Sequence, residues 1–441
     1  MTTRRAITLT VVLAALGVAA GARANPFDTF GAGTRAIGMG GAYTAVSDDI
    51  AGLYYNPGAL IQMSGLDVEL AYHHASPKLR IAKRDIDADE NSGVQFGLLL
   101  TQRLAGRRFA FGANVFLPDD HVIRFQMLPR RQAQYVMFTN DNHVLVVDAG
   151  GGYEIIAGRL GLGAGLSVVG DNTGGVDLTL REDEPSAGSL DTKLKLIARP
   201  IIGIWGRPSP AWRVGFCYRE KTDVKLDLPN NIHVPELGVF EDNRWNVLAE
   251  SEIILIARSY SHFSPRMFAL GVAFDALPRT TITLDETWRQ WSQYHDPTVR
   301  LKLRIDGGLG QIVDIERQPP LESADFHDVF VTAVGVEGRP IERPGATLAV
   351  RGGYIYSPSP APRQSGAMNL IDTTTNTVAA GLGFTAKDPL GGIDEWSLNA
   401  YGRVMFLEER TVEKSSDDDP VGDYTVGGYV PGFGASLTAK F

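Results

Sequence analysis

The chain has 441 residues, 51 of them acidic and 42 basic, for a formal net charge of −9. That balance argues against nucleic acid or an anionic lipid surface as a partner, and a lone cysteine, Cys217, excludes a disulfide framework or a thiolate metal cluster. Beyond the N-terminus no run reaches the roughly 18 apolar residues of a spanning helix, which leaves a soluble secreted protein or a membrane β-barrel.

The chain opens MTTRRAITLTVVLAALGVAAGARA, with Arg4 and Arg5 ahead of an apolar run and small residues before Asn25. This is the layout of a secretory signal, so residues 1–24 are expected to be removed. They hold three arginines and no acid, and their loss takes the net charge to about −12. A glycine- and alanine-rich stretch follows, GAGTRAIGMGGAYTAVSDDIAGLYYNPGALIQM, with neither a period of two nor long helical periodicity.

From Leu66 the texture changes to segments rich in β-branched and aromatic residues. Strands are predicted at residues 66–75, 93–102, 108–118, 143–156, 158–170, 192–206, 212–228 and 248–260. Further strands are predicted at 267–291, taken as one bent strand, and at 326–338, 346–358, 376–386, 395–409 and 432–441. These fourteen are separated alternately by short breaks such as LAGRR and RPSPA and by long polar inserts such as 119–142. An even strand number and loops sorted by length are the marks of an outer-membrane barrel.

Alternation supplies a second test. In GFGASLTAKF, Phe433, Ala435, Leu437, Ala439 and Phe441 share one face, and Gly434, Ser436, Thr438 and Lys440 the other. One face suits lipid and the other a polar lumen. Closure requires the last strand to pair with the first, because unpaired backbone groups in hydrocarbon cost several kcal/mol each. Phe441 then places its ring at the periplasmic interface as the barrel-closure and C-terminal signal residue.

With these residues in view, the chain resembles the outer-membrane long-chain fatty-acid and aromatic hydrocarbon transporters of the FadL type. The resemblance rests on GMGGAYTAVSDDIAGLYYNPGAL near the N-terminus, on DVFVTAVGVEGRPIERPGATLAVRGGYIYSPSPAP, and on the C-terminal GDYTVGGYVPGFGASLTAKF. It implies an all-β, 14-stranded antiparallel transmembrane barrel at 66–441, with residues 25–65 folded inward as a hatch. It implies passive transport of hydrophobic compounds, long-chain fatty acids foremost, through apolar sites and a lateral gap made by an inward kink of the third strand, RFAFGANVFLP. Asn56, Pro57 and Gly58 match the hatch triplet near that gap, where the family usually ends on alanine; Gly58 is expected to loosen the backbone there. Gly38, Gly40 and Gly41, with Gly31 and Gly33, would let the hatch pack closely inside the wall. Asp48 and Asp49 take a structural role in the hatch, pairing with lumen arginines. The partners implied are hydrophobic small molecules, outer-membrane lipid and lipopolysaccharide, and the barrel-insertion machinery, with the protein a monomer.

No motif supports an enzyme, a cofactor or a metal. His73 and His74 are adjacent on a strand and so point to opposite faces. The glycine runs GAGTRAIGMGG and GAGLSVVG lack the lysine, hydroxyl or acidic partner of a nucleotide site. Arg199, Arg219, Arg258, Arg351 and Arg403 lie inside predicted strands, where they brace a plug or meet a carboxylate head group. The alternative from another class is a plugged barrel that serves as an attachment or assembly platform for secreted partners, recruited through inserts 119–142 and 290–323.

Overall fold

The computed structural model describes residues 26–86, 88, 90–119, 133–138, 145–179, 187–234, 237–241, 244–248, 251–297, 300–307, 324–364, 368–387, 393–414 and 421–441. The expected signal at 1–24 lies outside the described residues, as do most of the inserts 119–142 and 290–323. Fourteen antiparallel strands close on themselves: β1 Gly65–Ala75, β2 Asn91–Leu104, β3 Arg107–Pro118, β4 Val146–Ile156, β5 Leu160–Thr179, β6 Ala187–Ser209, β7 Trp212–Arg219, β8 Arg266–Leu277, β9 Thr280–Gln290, β10 Val329–Arg343, β11 Ala346–Ser357, β12 Thr375–Lys387, β13 Glu395–Val412 and β14 Tyr424–Lys440. The seam is β1 against β14, in register from Asp67↔Lys440 to Ala75↔Gly432. Beyond it Phe441 N–H donates to the Leu66 carbonyl at 2.9 Å and Leu66 N–H to the Phe441 carbonyl at 3.0 Å, so the terminal backbone is used completely.

Side chains alternate as the period of two requires. On β2, Val94, Phe96, Leu98 and Leu100 point outward and are exposed, while Gln95, Gly97 and Leu99 point inward and are buried. Outward Leu70, Phe111, Leu270, Leu284, Phe330, Leu382 and Phe433 continue the same band around the wall. An apolar belt of this extent is incompatible with water and is the lipid-facing surface of an outer-membrane barrel. The short turns, such as Ala105–Gly106 with both residues at positive φ, gather at one end, the periplasmic end of such barrels, and the long inserts at the other.

The count of fourteen agrees with the sequence reading, but two of its strands are assigned differently. Residues 267–291 form not one bent strand but a hairpin, β8 and β9, turning at Pro278–Arg279, where Arg279 has φ 71°. Residues Ser251–Ser264 are not a separate stave: they lead into β8 and pair with Thr222–Val234 and Arg300–Gly307 in an extension beyond the rim. An extension strand is as rich in β-branched residues as a wall strand, and for that reason the two differences cancelled in the count.

The third strand differs from expectation as well. β3 is hydrogen-bonded without interruption to β2 from Arg107 to Pro118, and to β4 from Phe109 to Phe116. The wall is therefore closed at the strand where the resemblance implies a gap.

Residues 26–63 lie inside the wall as short helices α1 Pro26–Phe30, α2 Thr34–Gly38 and α3 Gly52–Tyr55, followed by a 3₁₀ turn Pro57–Gln62. Met39, Ala42, Tyr43, Asn56, Ala59 and Leu60 are completely buried. A segment with so little internal helix is held by what surrounds it rather than by its own hydrogen bonds.

Candidate functional site

The N-terminal segment meets the wall at a girdle of inward glycines on β2, β4 to β8 and β10 to β12. A Cβ on Gly203 would lie 2.2 Å from Asn56 Oδ1, and one on Gly353 would lie 2.1 Å from the Gly40 amide nitrogen. Segment backbone and wall backbone touch directly, a contact that a side chain of any size would prevent. On β9 the position in register with Gly271 is instead Asp285, whose carboxylate accepts from the Tyr43 and Thr44 amides at 2.9 and 2.8 Å.

Each sequence-derived residue has a definite place here. Asn56 caps the 3₁₀ turn by accepting from Gly58 N–H at 3.0 Å and donates to the carbonyls of Thr44 at 2.9 Å and Ile204 at 3.0 Å, tying turn to wall. Pro57 and Gly58 press on Gly152, Gly161, Gly163 and Gly203, so the triplet sits against β4, β5 and β6 rather than at the third strand. Gly58 is not a loosening residue: its missing Cβ would stand 2.7 Å from the Gly203 carbonyl oxygen, and its smallness permits close approach. Gly38 lies over Gly381 and Gly40 over Gly353, while Gly41 faces the Tyr55 hydroxyl. Asp48 pairs with Arg35, an arginine of the segment itself rather than of the lumen wall, and Arg35 in turn grips Glu337 of β10 with two bonds of 2.7 and 2.9 Å. Asp49 accepts from the Tyr43 hydroxyl at 2.7 Å, and burial raises its carboxyl above the ordinary range. Phe441 is half exposed at the rim. His73 turns inward to Tyr401 and Gln95, whereas His74 stacks outward near Phe433.

Sequence reasoning missed Asp28. Its carboxylate is held by Arg199 through two bonds of 2.9 and 3.1 Å and by the Tyr54 hydroxyl at 2.7 Å. Burial alone would raise this carboxyl, but the Arg199 guanidinium holds it well below the usual carboxylate range. Nothing in the sequence around α1 marks Asp28, because its partner is 171 residues away.

On the side of the segment toward the long inserts lies a cavity of about 80 Å³, lined by Phe27, Phe30, Tyr55, Val331 and Ile355 together with Arg219, Arg289 and Arg403. Arg219 lies 4.1 Å over the Tyr54 ring and donates to its carbonyl at 3.2 Å; Arg403 donates to the Phe30 carbonyl at 2.6 Å. Each of the three arginines keeps a buried Nε without a hydrogen-bond partner, and none makes an ion pair among the described residues. Above the cavity the mouth is apolar. Phe263, Trp291, Tyr294 and Phe326 form one aromatic cluster, and Gln134–Tyr135 crosses to pair with Leu370–Ile371.

On the other side of the segment, toward the short turns, opens a vestibule of about 670 Å³ with the opposite character. Seven acids and seven bases line it, among them Asp67, Glu69, Glu337, Glu395, Arg108, Arg351 and Lys440.

This geometry defines a closed outer-membrane barrel with an occupied lumen, apolar at one mouth and polar at the other. No family model and no curated protein sequence matches the chain. Solved structures do share its fold. A FadL homologue of Pseudomonas aeruginosa is similar at 16% identity with a TM-score of 0.57, over 92% of this chain and 97% of that one. The CymD monoaromatic hydrocarbon channel is similar at 17% identity and a TM-score of 0.54, over 93% and 97% of the two chains. The toluene transporter TbuX of Ralstonia pickettii is similar at 15% identity and a TM-score of 0.52, over 94% and 100%. The chain thus has the FadL-type barrel fold.

Proposed function

We propose that this protein is a passive outer-membrane transporter of hydrophobic compounds, and that its preferred cargo is an acid-headed chain, a long-chain fatty acid, rather than a neutral aromatic hydrocarbon. The single observation that carries the choice is the cavity at Phe27 and Phe30, where Arg219, Arg289 and Arg403 outnumber the two carboxylates that also line it, Asp28 and Asp285, and where those two are already held by Arg199 and by the Tyr43 and Thr44 amides. A fatty-acid carboxylate supplies an anion to this excess of cations, and the apolar part of the lining receives the chain. A toluene-like ligand would leave three buried cations as they are.

Residues 26–63 act in this reading as the hatch. At about 80 Å³ the cavity is well below the roughly 300 Å³ of a typical ligand pocket, so the seated hatch represents the closed state and must yield for a chain to enter. The exit is sideways rather than axial. Each CH₂ moved from an apolar site into the polar vestibule costs about 0.8 kcal/mol, so an acyl chain gains nothing by going straight down. Since β3 is fully paired, such an opening requires the wall itself to rearrange.

The test compares uptake of labelled oleate and labelled toluene by cells lacking the gene, with and without the protein restored. Restoration is expected to raise oleate uptake more than toluene uptake. Correctly inserted barrel with unchanged oleate uptake would overturn the reading.

A further inference from the structure

The wall behind α1 holds a second feature that the arginine cavity does not use. Asn114 on β3, Asp148 on β4, Ser167 on β5 and Arg199 on β6 are neighbours in one unbroken register row. All four point inward and are at most 1% exposed. Among the described residues both amide atoms of Asn114 and Arg199 Nε have no hydrogen-bond partner, and Asp148 and Ser167 have at most each other. Buried polar groups are almost always satisfied, and each one left bare weakens the fold, so a row this poorly satisfied points to a ligand.

The surroundings give the row a direction. The next row toward the long inserts is apolar, Phe116, Val146 and Val169 in register, and the Phe27 ring of α1 packs 5.6 Å from Phe116. The next row toward the short turns is Gly112, Gly150 and Gly165, three positions in register without a side chain. A polar step therefore lies between an apolar shelf and the thinnest stretch of the wall.

We propose that Asn114, Asp148 and Ser167 form a second subsite that binds the hydroxyl head of an uncharged amphiphile, with its chain along Phe116, Val146 and Val169. A hydroxyl donates to the Asp148 carboxylate and accepts from the Asn114 amide or Ser167 O–H, which fits the mixture of donors and acceptors present. An anionic head does not fit. The one cation of the row, Arg199, is already neutralised by Asp28, and Asp148 repels a second carboxylate. The proposal shares with the transport reading only the premise that amphiphiles reach the lumen; its residues are not those of the arginine cavity.

Equilibrium binding of labelled oleyl alcohol and of labelled oleate to the purified full-length barrel separates the two sites. The double variant Asn114→Leu with Ser167→Ala is expected to bind oleyl alcohol about tenfold more weakly and oleate unchanged. The double variant Arg289→Met with Arg403→Met is expected to do the reverse. Heat-modifiable gel mobility reports folding of each variant, and Ser167→Ala alone, expected to lose about threefold in alcohol binding, serves if the first does not fold. Oleyl alcohol binding that is absent in the natural protein, or equal in the row variants, overturns the subsite. Oleate binding that is indifferent to the arginine variants while alcohol binding follows the row overturns the fatty-acid reading and leaves the subsite standing.

Discussion

The two ends of the lumen differ in kind, although the same fourteen strands build both. Toward the long inserts, aromatic clusters and unpaired arginines surround a cavity of about 80 Å³; toward the short turns, seven acids and seven bases line a vestibule of about 670 Å³. Residues 26–63 are the boundary between them. Charges in the vestibule largely answer one another, as in the Arg35–Glu337–Arg351 chain, whereas at the cavity Arg219, Arg289 and Arg403 make no ion pair among the described residues. A lumen so divided sets apolar side chains and cations on one side against a charge-balanced polar chamber on the other.

The strongest way to break this division is to remove the boundary. Gly353→Leu places a side chain where the Gly40 backbone lies, and overpacking of that kind should unseat the hatch and raise entry of a large polar antibiotic about tenfold in whole cells. Unchanged permeability with normal barrel levels would show that the girdle does not hold the hatch.

Next in size is Asp28→Asn, which leaves Arg199 buried and unpaired. Loss of one partner of a buried pair costs ~3–5 kcal/mol, and hydrogen exchange at the amides of residues 26–40 should report it. Because the Asp28 carboxyl is depressed, its contribution is full above its ordinary value near ~3.9 and fades only as pH falls toward the depressed one. Protection of α1 in the natural protein should therefore be flat from about pH 5 to 8.

The comparison is sharpened rather than broken by the pair Arg289→Met with Arg403→Met. Hydrogen bonds to charged groups contribute ~1.5–3 kcal/mol, so oleate affinity should drop between about tenfold and a hundredfold while toluene affinity holds. An equal fall for both ligands would assign the arginines to packing instead.

The smallest effect is expected for Asp49→Asn. Burial makes the neutral form of this carboxyl the favoured one in the seated hatch, so its contribution is largest below about pH 4 and is lost as pH rises through the raised value. The variant should seat slightly better at pH 7, by less than ~1 kcal/mol, and the gain should vanish near pH 4. Hydrogen exchange at Tyr43 and Ala51 checks the sign.

The barrel was legible in the sequence because lipid on one side and a polar lumen on the other impose a period of two on every stave. Residues 248–260 were misplaced because an extension beyond the rim is as rich in β-branched residues as a stave. The girdle glycines were visible as interruptions within strands, but single glycines do not say what presses on them. The loosening expected at Gly58 had the wrong sign for this reason: the contact lies with Gly203, on a strand 145 positions later in the sequence. Of the strand arginines, Arg351 proved to be a brace to Glu337, whereas Arg219 and Arg403 face the cavity; the side chain of Arg258 lies outside the described residues. Arg289 and the row of Asn114, Asp148 and Ser167 carried no signal, because their meaning arises only from register.

The glycine girdle also bears on the order of assembly. The N-terminal segment and the wall meet backbone to backbone on eight strands, an interlock too close for a preformed cylinder to admit its occupant from one end without spreading. The hatch precedes every stave along the chain, so it is available as a mandrel around which the strands are laid. Its cross-section would then act as a gauge of circumference, and a barrel raised without it could close on a different strand stagger.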